Sequence, residues 1–342
     1  MTLPEPPEKK EIKMEYKEIE PIVKKLSDKS AFGQRDYKIY SDIIPDPPLE
    51  VVAKGIKELQ EYNPQCVVAI GGGSAIDTAK AIKMFLPLDE SQCFLKQEKK
   101  YIPLKHIAIP TTAGTGSEST RFSVIYYNKQ KQSLTSTAIL PDAVVLEPGF
   151  LETLPKKQKI ATVLDALCQA TEAMWSVNRT SLSDSYAKEA IMLINDNVKR
   201  YLANEKYALP LIQKASNLSG KAINITQTTA GHALSYKLTS EFGISHGHAV
   251  AICLSKVWEY LNNNVNLCCD PRGEEYLSDT LTELSNIINL NEFNEIVEYL
   301  DLQTPQFINN SQLDLCVNSV NIERLSNFPI KLSKQNIRDI YL

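Results

Sequence analysis

The sequence predicts an α/β fold followed by an all-α one. A doubly wound, mostly parallel, dinucleotide-binding sheet is expected over residues 1–154, and an all-helical domain over residues 155–342. Three observations predict this. Up to about residue 150, short β-branched runs end in glycine or proline and alternate with helical patterns, as parallel strands joined by crossover helices do. One of these runs closes on a triple glycine that opens a helix. After Leu154-Pro155, apolar residues recur at three and four and no convincing strand remains.

The elements follow in order. Cys66-Val-Val-Ala-Ile70 reads as a buried strand closed by Gly71-Gly72-Gly73, and Ala75 to Leu86 as the helix after it. His106-Ile-Ala-Ile109 is a second buried strand, ended by Pro110. Phe122 to Tyr127 and Ala143 to Leu146 are further strands, expected to join the same sheet. The periodicity then predicts helices over about 156–175, 180–202, 208–230, 248–262, 274–288, 291–301, 310–318 and 334–341. There is no internal repeat and no low-complexity segment.

Composition narrows the function. With 43% hydrophobic and 23% charged residues the chain is ordinary for a globular protein, and a formal net charge of -4 gives no support for nucleic-acid binding. No apolar run approaches the roughly 20 residues needed to span a bilayer. The polar, charged start MTLPEPPEKKEIKMEYKEIE is not a secretory signal. The seven cysteines form no CxxC framework, so a reduced cytoplasmic protein is expected.

Two loops carry the cofactor argument. Gly71-Gly72-Gly73-Ser74 follows a strand and opens a helix, so backbone N–H groups and the helix dipole can meet a phosphate. Alone, such a turn is equally a structural βα connection. Pro110-Thr-Thr-Ala-Gly-Thr-Gly-Ser-Glu118 also follows a strand and adds hydroxyls at the same sheet edge, where open α/β sheets bind ligands. Together the loops favour a dinucleotide, without the GxGxxG fingerprint.

Histidine carries the metal argument. Of four histidines in the chain, His232, His246 and His248 lie within seventeen residues, and Asp165 stands at the start of an apolar helical stretch upstream. Nitrogen and carboxylate donors suit Fe²⁺ or Zn²⁺. The alternative for His232 and His246 is helix packing or a loop role.

The strings GGGSAIDTAK, PTTAGTGSE, LPDAVVLEP, DALCQATEA and GHALSYKLTSEFGISHGHAV resemble, in order, the motifs of the iron-containing (group III) alcohol dehydrogenase superfamily, which includes glycerol dehydrogenase and dehydroquinate synthase relatives. The longer strings DALCQATEAMWSVN, SGKAINITQTTAGHALSY and VNIERLSNFPIKLS are similar to its phosphonoacetaldehyde reductase branch, which would place the chain in phosphonate biosynthesis. The resemblance implies a dehydroquinate synthase-like fold, NAD(P)H, a divalent metal with Fe²⁺ ahead of Zn²⁺, a small aldehyde or alcohol as partner, and a homo-oligomer, a dimer in particular. By it, Gly72, Gly73 and Ser74 match the pyrophosphate loop, and Asp77 a neighbouring aspartate. Thr111, Thr112 and Ser117 match cofactor contacts, and Lys131 a lysine reaching the nicotinamide half. Asp165, His232 and His246 match metal ligands. The fourth ligand position falls on Gln169, which is expected near the metal or bonding substrate.

Departures from the pattern accompany the matches. Tyr236 stands where the family has a relay histidine, and Val163 where a glycine is expected. The first strand–helix–strand unit is shortened around Lys24 to Tyr40, with Asp28 as a ribose-binding remnant. Tyr236 and His248 are the groups expected to pass a proton to the nascent alkoxide. Lys221, Asn224 and Thr228, at i, i+3 and i+7 on one expected helix, form a candidate phosphonate cradle with Thr229 beside them; Arg121 is a weaker candidate. The resemblance leads to the expectation that the chain reduces phosphonoacetaldehyde to 2-hydroxyethylphosphonate. Its rivals are a generic short-chain alcohol or polyol dehydrogenase, a dehydroquinate synthase-like lyase and a non-catalytic relic.

Overall fold

A computed structural model describes residues 37–86, 103–128, 130–300, 309–320 and 322–342. Asp28 and most of the shortened N-terminal unit lie outside them. The first helix, α1 (Leu49–Tyr62), buries Leu49, Val52 and Ile56 along one face and ends at Asn63 in the left-handed conformation. Strand β1 (Cys66–Gly71) follows, then α2 (Gly73–Met84), then β2 (Lys105–Pro110). β1 and β2 pair in parallel from Cys66 with Lys105 to Gly71 with Pro110. The two glycine-bearing loops therefore leave the same end of the sheet side by side. A short β5 (Ala143–Val144) adds to β2, giving the order β1-β2-β5.

One sequence expectation is corrected here. Phe122–Tyr127 is a strand, β3, but it does not join the parallel sheet. It pairs antiparallel with β4 (Gln130–Thr135), the two forming a separate sheet. Asn128, at φ 48°, stands in the turn between them. Helix α2 lies against both β1 and this hairpin, and buried polar groups make the join. The Lys80 ammonium donates to the carbonyl of Phe122 at 2.8 Å, and the Val124 amide donates to Asp77 at 3.0 Å.

From Lys156 onward the chain is helical: α3 (Lys156–Trp175), α4 (Ser181–Leu202), α5 (Ala208–Thr226), α6 (Ala230–Phe242), α7 (His246–Asn263), α8 (Glu274–Ser285), α9 (Leu290–Tyr299), α10 (Asn310–Ser319) and α11 (Lys334–Tyr341). Helix α3 is the axis, packed by α4, α5 and α7. Every residue from Val163 to Trp175 is buried, so α3 has no solvent face over its last thirteen residues. A helix expected to run from 208 to 230 instead ends at Thr226. Gln227 turns to φ 60°, and after Thr228 and Thr229 the separate helix α6 begins. Among the described residues, no helix is long and apolar enough to cross a membrane.

Candidate metal and cofactor site

Three helices bring the metal candidates together. Asp165 lies in the buried run of α3, His232 in the first turn of α6, and His246 is the first residue of α7. α7 reaches α3 because Gly247 follows: a Cβ there would sit 1.8 Å from the Ala161 carbonyl oxygen. One donor atom from each of Asp165, His232 and His246 lies within 4.8 Å of the other two. His232 Nε2 is 3.2 Å from Asp165 Oδ1, and His246 Nε2 is 3.9 Å from the same oxygen. Two imidazoles and a carboxylate on three rigid elements are the donor set of an open three-ligand site for Zn²⁺ or Fe²⁺. The residues fit such an ion. Asp165 and His232 are closed off from solvent, whereas the His246 side chain is 38% exposed and forms the open edge.

The charges of the trio are set by one another. Burial alone would raise the Asp165 pKa, but the hydrogen bond from His232 and the charges of His246, His232 and Lys131 outweigh it and lower it. Burial alone would lower that of His232, but the Glu172 charge and hydrogen bonds with Asp165 and Glu172 raise it to about 10. Desolvation holds His246 down to about 4, with Asp165 pulling the other way and Lys131 adding to the depression. His246 is thus a neutral imidazole at physiological pH, the form that binds a metal.

Tyr236, one turn beyond His232, stacks on the His246 ring at 5.7 Å with the planes 3° apart. The Lys131 ammonium sits over the Tyr236 ring, 3.6 Å from its centroid. Lys131 comes from β4, so the hairpin closes over the helical site. His248 is half-buried in the first turn of α7.

The cofactor candidates divide into two sets. Gly72 caps α2 and Gly73 begins it, with no side chain capping the first N–H groups. Thr111 N donates to the Gly71 carbonyl at 3.0 Å, and a Cβ on Gly73 would meet the Thr115 methyl at 2.9 Å, so the two loops touch. Gly72, Gly73, Ser74, Thr111 and Thr112 are all half-buried at this edge. Asp77 and Ser117 are tied to other protein groups. Both Asp77 oxygens are engaged, one by the Ser117 hydroxyl and the other by the Val124 amide. Ser117 in turn takes a hydrogen bond from the fully buried Lys80, whose pKa burial pulls down to about 8. These residues hold the two loops and the hairpin together from beneath. Gly116, at φ 58°, sits so close to Gly220 of α5 that a Cβ would come within 2.5 Å of its Cα, which locks the second loop to the helical half.

Gln169 is buried beside the trio, one turn beyond Asp165, and its amide is engaged at both ends. It accepts from the Ser219 hydroxyl at 3.0 Å and donates to the Thr115 carbonyl at 3.4 Å. It thereby links α3 to the second glycine-bearing loop. The single helix expected to carry Lys221, Asn224 and Thr228 is corrected: Lys221 and Asn224 lie on α5, which ends at Thr226, and Thr228 lies beyond it. Lys221 is exposed, its ammonium 5.9 Å from the Tyr186 ring centroid. Asn224 accepts at its side-chain oxygen from the Arg121 backbone N–H at 2.9 Å, and its carbonyl accepts from the Arg121 guanidinium. The Thr228 carbonyl accepts from Asn327 at 2.8 Å.

Sequence reasoning did not single out Glu172 or Lys80. Glu172 is fully buried, with one oxygen against His232 Nδ1 and the other accepting from the N-terminus of α6. Its signal was available: a carboxylate seven residues after Asp165 in an otherwise apolar run returns to the same helix face.

Residues 16–148 match the family description "Iron-containing alcohol dehydrogenase", and residues 159–301 match "Fe-containing alcohol dehydrogenase family, C-terminal". The chain is 34% identical over 260 residues to the phosphonoacetaldehyde reductase of Streptomyces viridochromogenes, covering 71% of this chain and 66% of that one. It is 35% identical over 246 residues to long-chain-alcohol dehydrogenase 1 of Geobacillus thermodenitrificans, covering 69% and 62%. The matched stretch thus spans about two thirds of these relatives' length or less. An iron-containing alcohol dehydrogenase of Thermotoga maritima superposes with a TM-score of 0.80 at 27% identity, covering 93% of this chain and 85% of that one. The chain belongs to the iron-containing alcohol dehydrogenase family. The phosphonoacetaldehyde reductase branch read from its motifs is represented among its relatives.

Proposed function

We propose that this chain is a metal-dependent, NAD(P)H-linked alcohol dehydrogenase that reduces a small aldehyde, with phosphonoacetaldehyde as substrate and 2-hydroxyethylphosphonate as product. The observation that carries the reading is the convergence of Asp165, His232 and His246 on one point, joined through Gln169 to the second glycine-bearing loop. Asp165, His232 and His246 would hold Fe²⁺ or Zn²⁺, which when bound supplies a Lewis acid for the aldehyde oxygen, an effect worth several kcal/mol. Reduced nicotinamide supplies the hydride.

The chain's own residues do the rest. The backbone at Gly72, Gly73 and Ser74, with Thr111 and Thr112 beside it, binds the pyrophosphate at the N-terminus of α2. Lys131 holds a positive charge against the Tyr236 face and over the site. That charge acts on both Asp165 and His246, so it also favours a substrate that carries an anion. Tyr236, stacked on His246 with the Lys131 ammonium over its ring, positions its phenol to deliver a proton to the nascent alkoxide, with His248 as the other proton-holding group in the same segment.

A second reading, a generic short-chain alcohol dehydrogenase, is favoured by two observations. Identity to a long-chain-alcohol dehydrogenase, 35%, is no lower than the 34% to the phosphonate enzyme, and Asn224 is occupied by Arg121. The experiment is NADH and NADPH oxidation by the metal-loaded chain with phosphonoacetaldehyde and with propanal. Preference for phosphonoacetaldehyde is the expected result. Preference for propanal favours the second reading. Net consumption of NADH excludes a lyase that recycles its dinucleotide, and no turnover of either aldehyde overturns both dehydrogenase readings.

A further inference from the structure

We propose that Glu172 is a positioning residue that fixes how the His232 ring faces the metal; the inference rests on the metal reading above. Glu172 is two helical turns along α3 from Asp165 and is completely buried. Its two oxygens have separate tasks. Oε1 accepts from the Thr229 hydroxyl at 2.8 Å, the Gly231 amide at 2.7 Å and the His232 amide at 3.3 Å, so it anchors the start of α6. The Thr229 hydroxyl in turn accepts from Trp175 Nε1 at 3.0 Å, which fixes the direction of the Thr229 proton. Oε2 is left for one partner, Nδ1 of His232.

A helix cap needs only the first oxygen. The second does something else. A carboxylate on Nδ1 keeps a proton on that nitrogen, so the proton an ion would displace is the one on Nε2, on the far side of the ring, facing Asp165. One helix therefore grips the imidazole at both ends, Asp165 at Nε2 and Glu172 at Nδ1. Gly231 makes room for this: a Cβ there would stand 3.0 Å from Glu172 Oε1. The arrangement presets the ring's tautomer and orientation for an ion, and a carboxylate behind a ligating histidine also makes that histidine a stronger donor.

The test is Glu172→Gln in the full chain, stripped of metal and titrated with Co²⁺ against a chelator. The glutamine keeps the size of the side chain but turns one of its two acceptors into a donor. The expected result is Co²⁺ binding weaker by about 10- to 100-fold, with an altered visible band, while the cofactor Kd stays within about twofold. Co²⁺ affinity equal to wild type in a folded Glu172→Gln would overturn the proposal and leave Glu172 as a helix cap. Should that variant not fold, Thr229→Val removes one support of the carboxylate and leaves Glu172 in place. A severalfold loss of Co²⁺ affinity supports the proposal, and wild-type affinity overturns it. Failure of the wild-type chain to bind Co²⁺ is a separate outcome, which removes the metal reading itself.

Discussion

The helical half and the α/β half of this chain are packed in different ways. The helices share one continuous core running from Val163 through Trp175, Trp258 and Phe293 to Ile340. Among the described residues, the α/β half has two smaller clusters, one around Ile56, Phe85 and Ile125 and one around Ile76 and Ala108. Its sheet leaves apolar residues open among the described residues: Val68 is 40% exposed and Val144 36%, although parallel strands are ordinarily covered on both faces. The difference bears on the site. The metal candidates stand on the most buried helix of the molecule and two neighbours packed on it, so their geometry is held before any ligand arrives. The two glycine-bearing loops stand on the α/β half and are held by the Asp77–Ser117–Lys80 tie beneath them and by the Gly116–Gly220 contact with α5.

Two perturbations sharpen this contrast. The larger effect is expected in the rigid half. His246→Ala removes a partly exposed ligand from the surface of a well-packed core, so the fold should survive. Metal content should collapse and turnover should fall at least about a hundredfold, with cofactor affinity nearly unchanged. Metal analysis, turnover and cofactor titration on the same preparation check it. Loss of cofactor binding together with metal would show that the two halves are not separable.

The smaller effect belongs to the α/β half. His106, on β2, is completely buried, and burial together with the charges of Lys80 and Lys83 pulls its pKa from 6.5 down to about 4. The folded state therefore favours the neutral ring. Stability from this group is complete above pH 6.5 and is lost as pH falls towards 4, by up to about 3 kcal/mol. Melting of the α/β half between pH 7 and pH 4.5 should move down accordingly, and His106→Leu should flatten that limb. An acid limb unchanged by the substitution would assign the loss to other groups.

The helices and the two central strands were legible in the sequence because their signals are local. Cys66–Gly71 and Lys105–Pro110 are short apolar runs between turn residues, and α3 is a long apolar stretch. The hairpin was not legible. Its second strand, Gln130–Thr135, is mostly polar, and the pairing that turns β3 away from the parallel sheet lies in that partner. Nor was the break between α5 and α6, where no glycine or proline marks the positive φ at Gln227. That break undid the shared face of Lys221, Asn224 and Thr228, whose spacing had meaning only on an unbroken helix. The metal trio was legible because histidine is scarce in this chain. Lys80 was not, because it acquires its role only from partners about forty residues away; Glu172 left a spacing signal beside Asp165, but its partner His232 stands sixty residues on.

The central claim is that Asp165, His232 and His246 bind one divalent ion. X-ray absorption at the metal edge of the Zn²⁺- or Fe²⁺-loaded chain tests it most directly. The account predicts one metal per chain with two imidazoles in the shell, nitrogen and oxygen donors at roughly 2.0–2.2 Å and no sulfur. A chain that takes up no stoichiometric metal, or a shell containing sulfur or lacking imidazole, would contradict it.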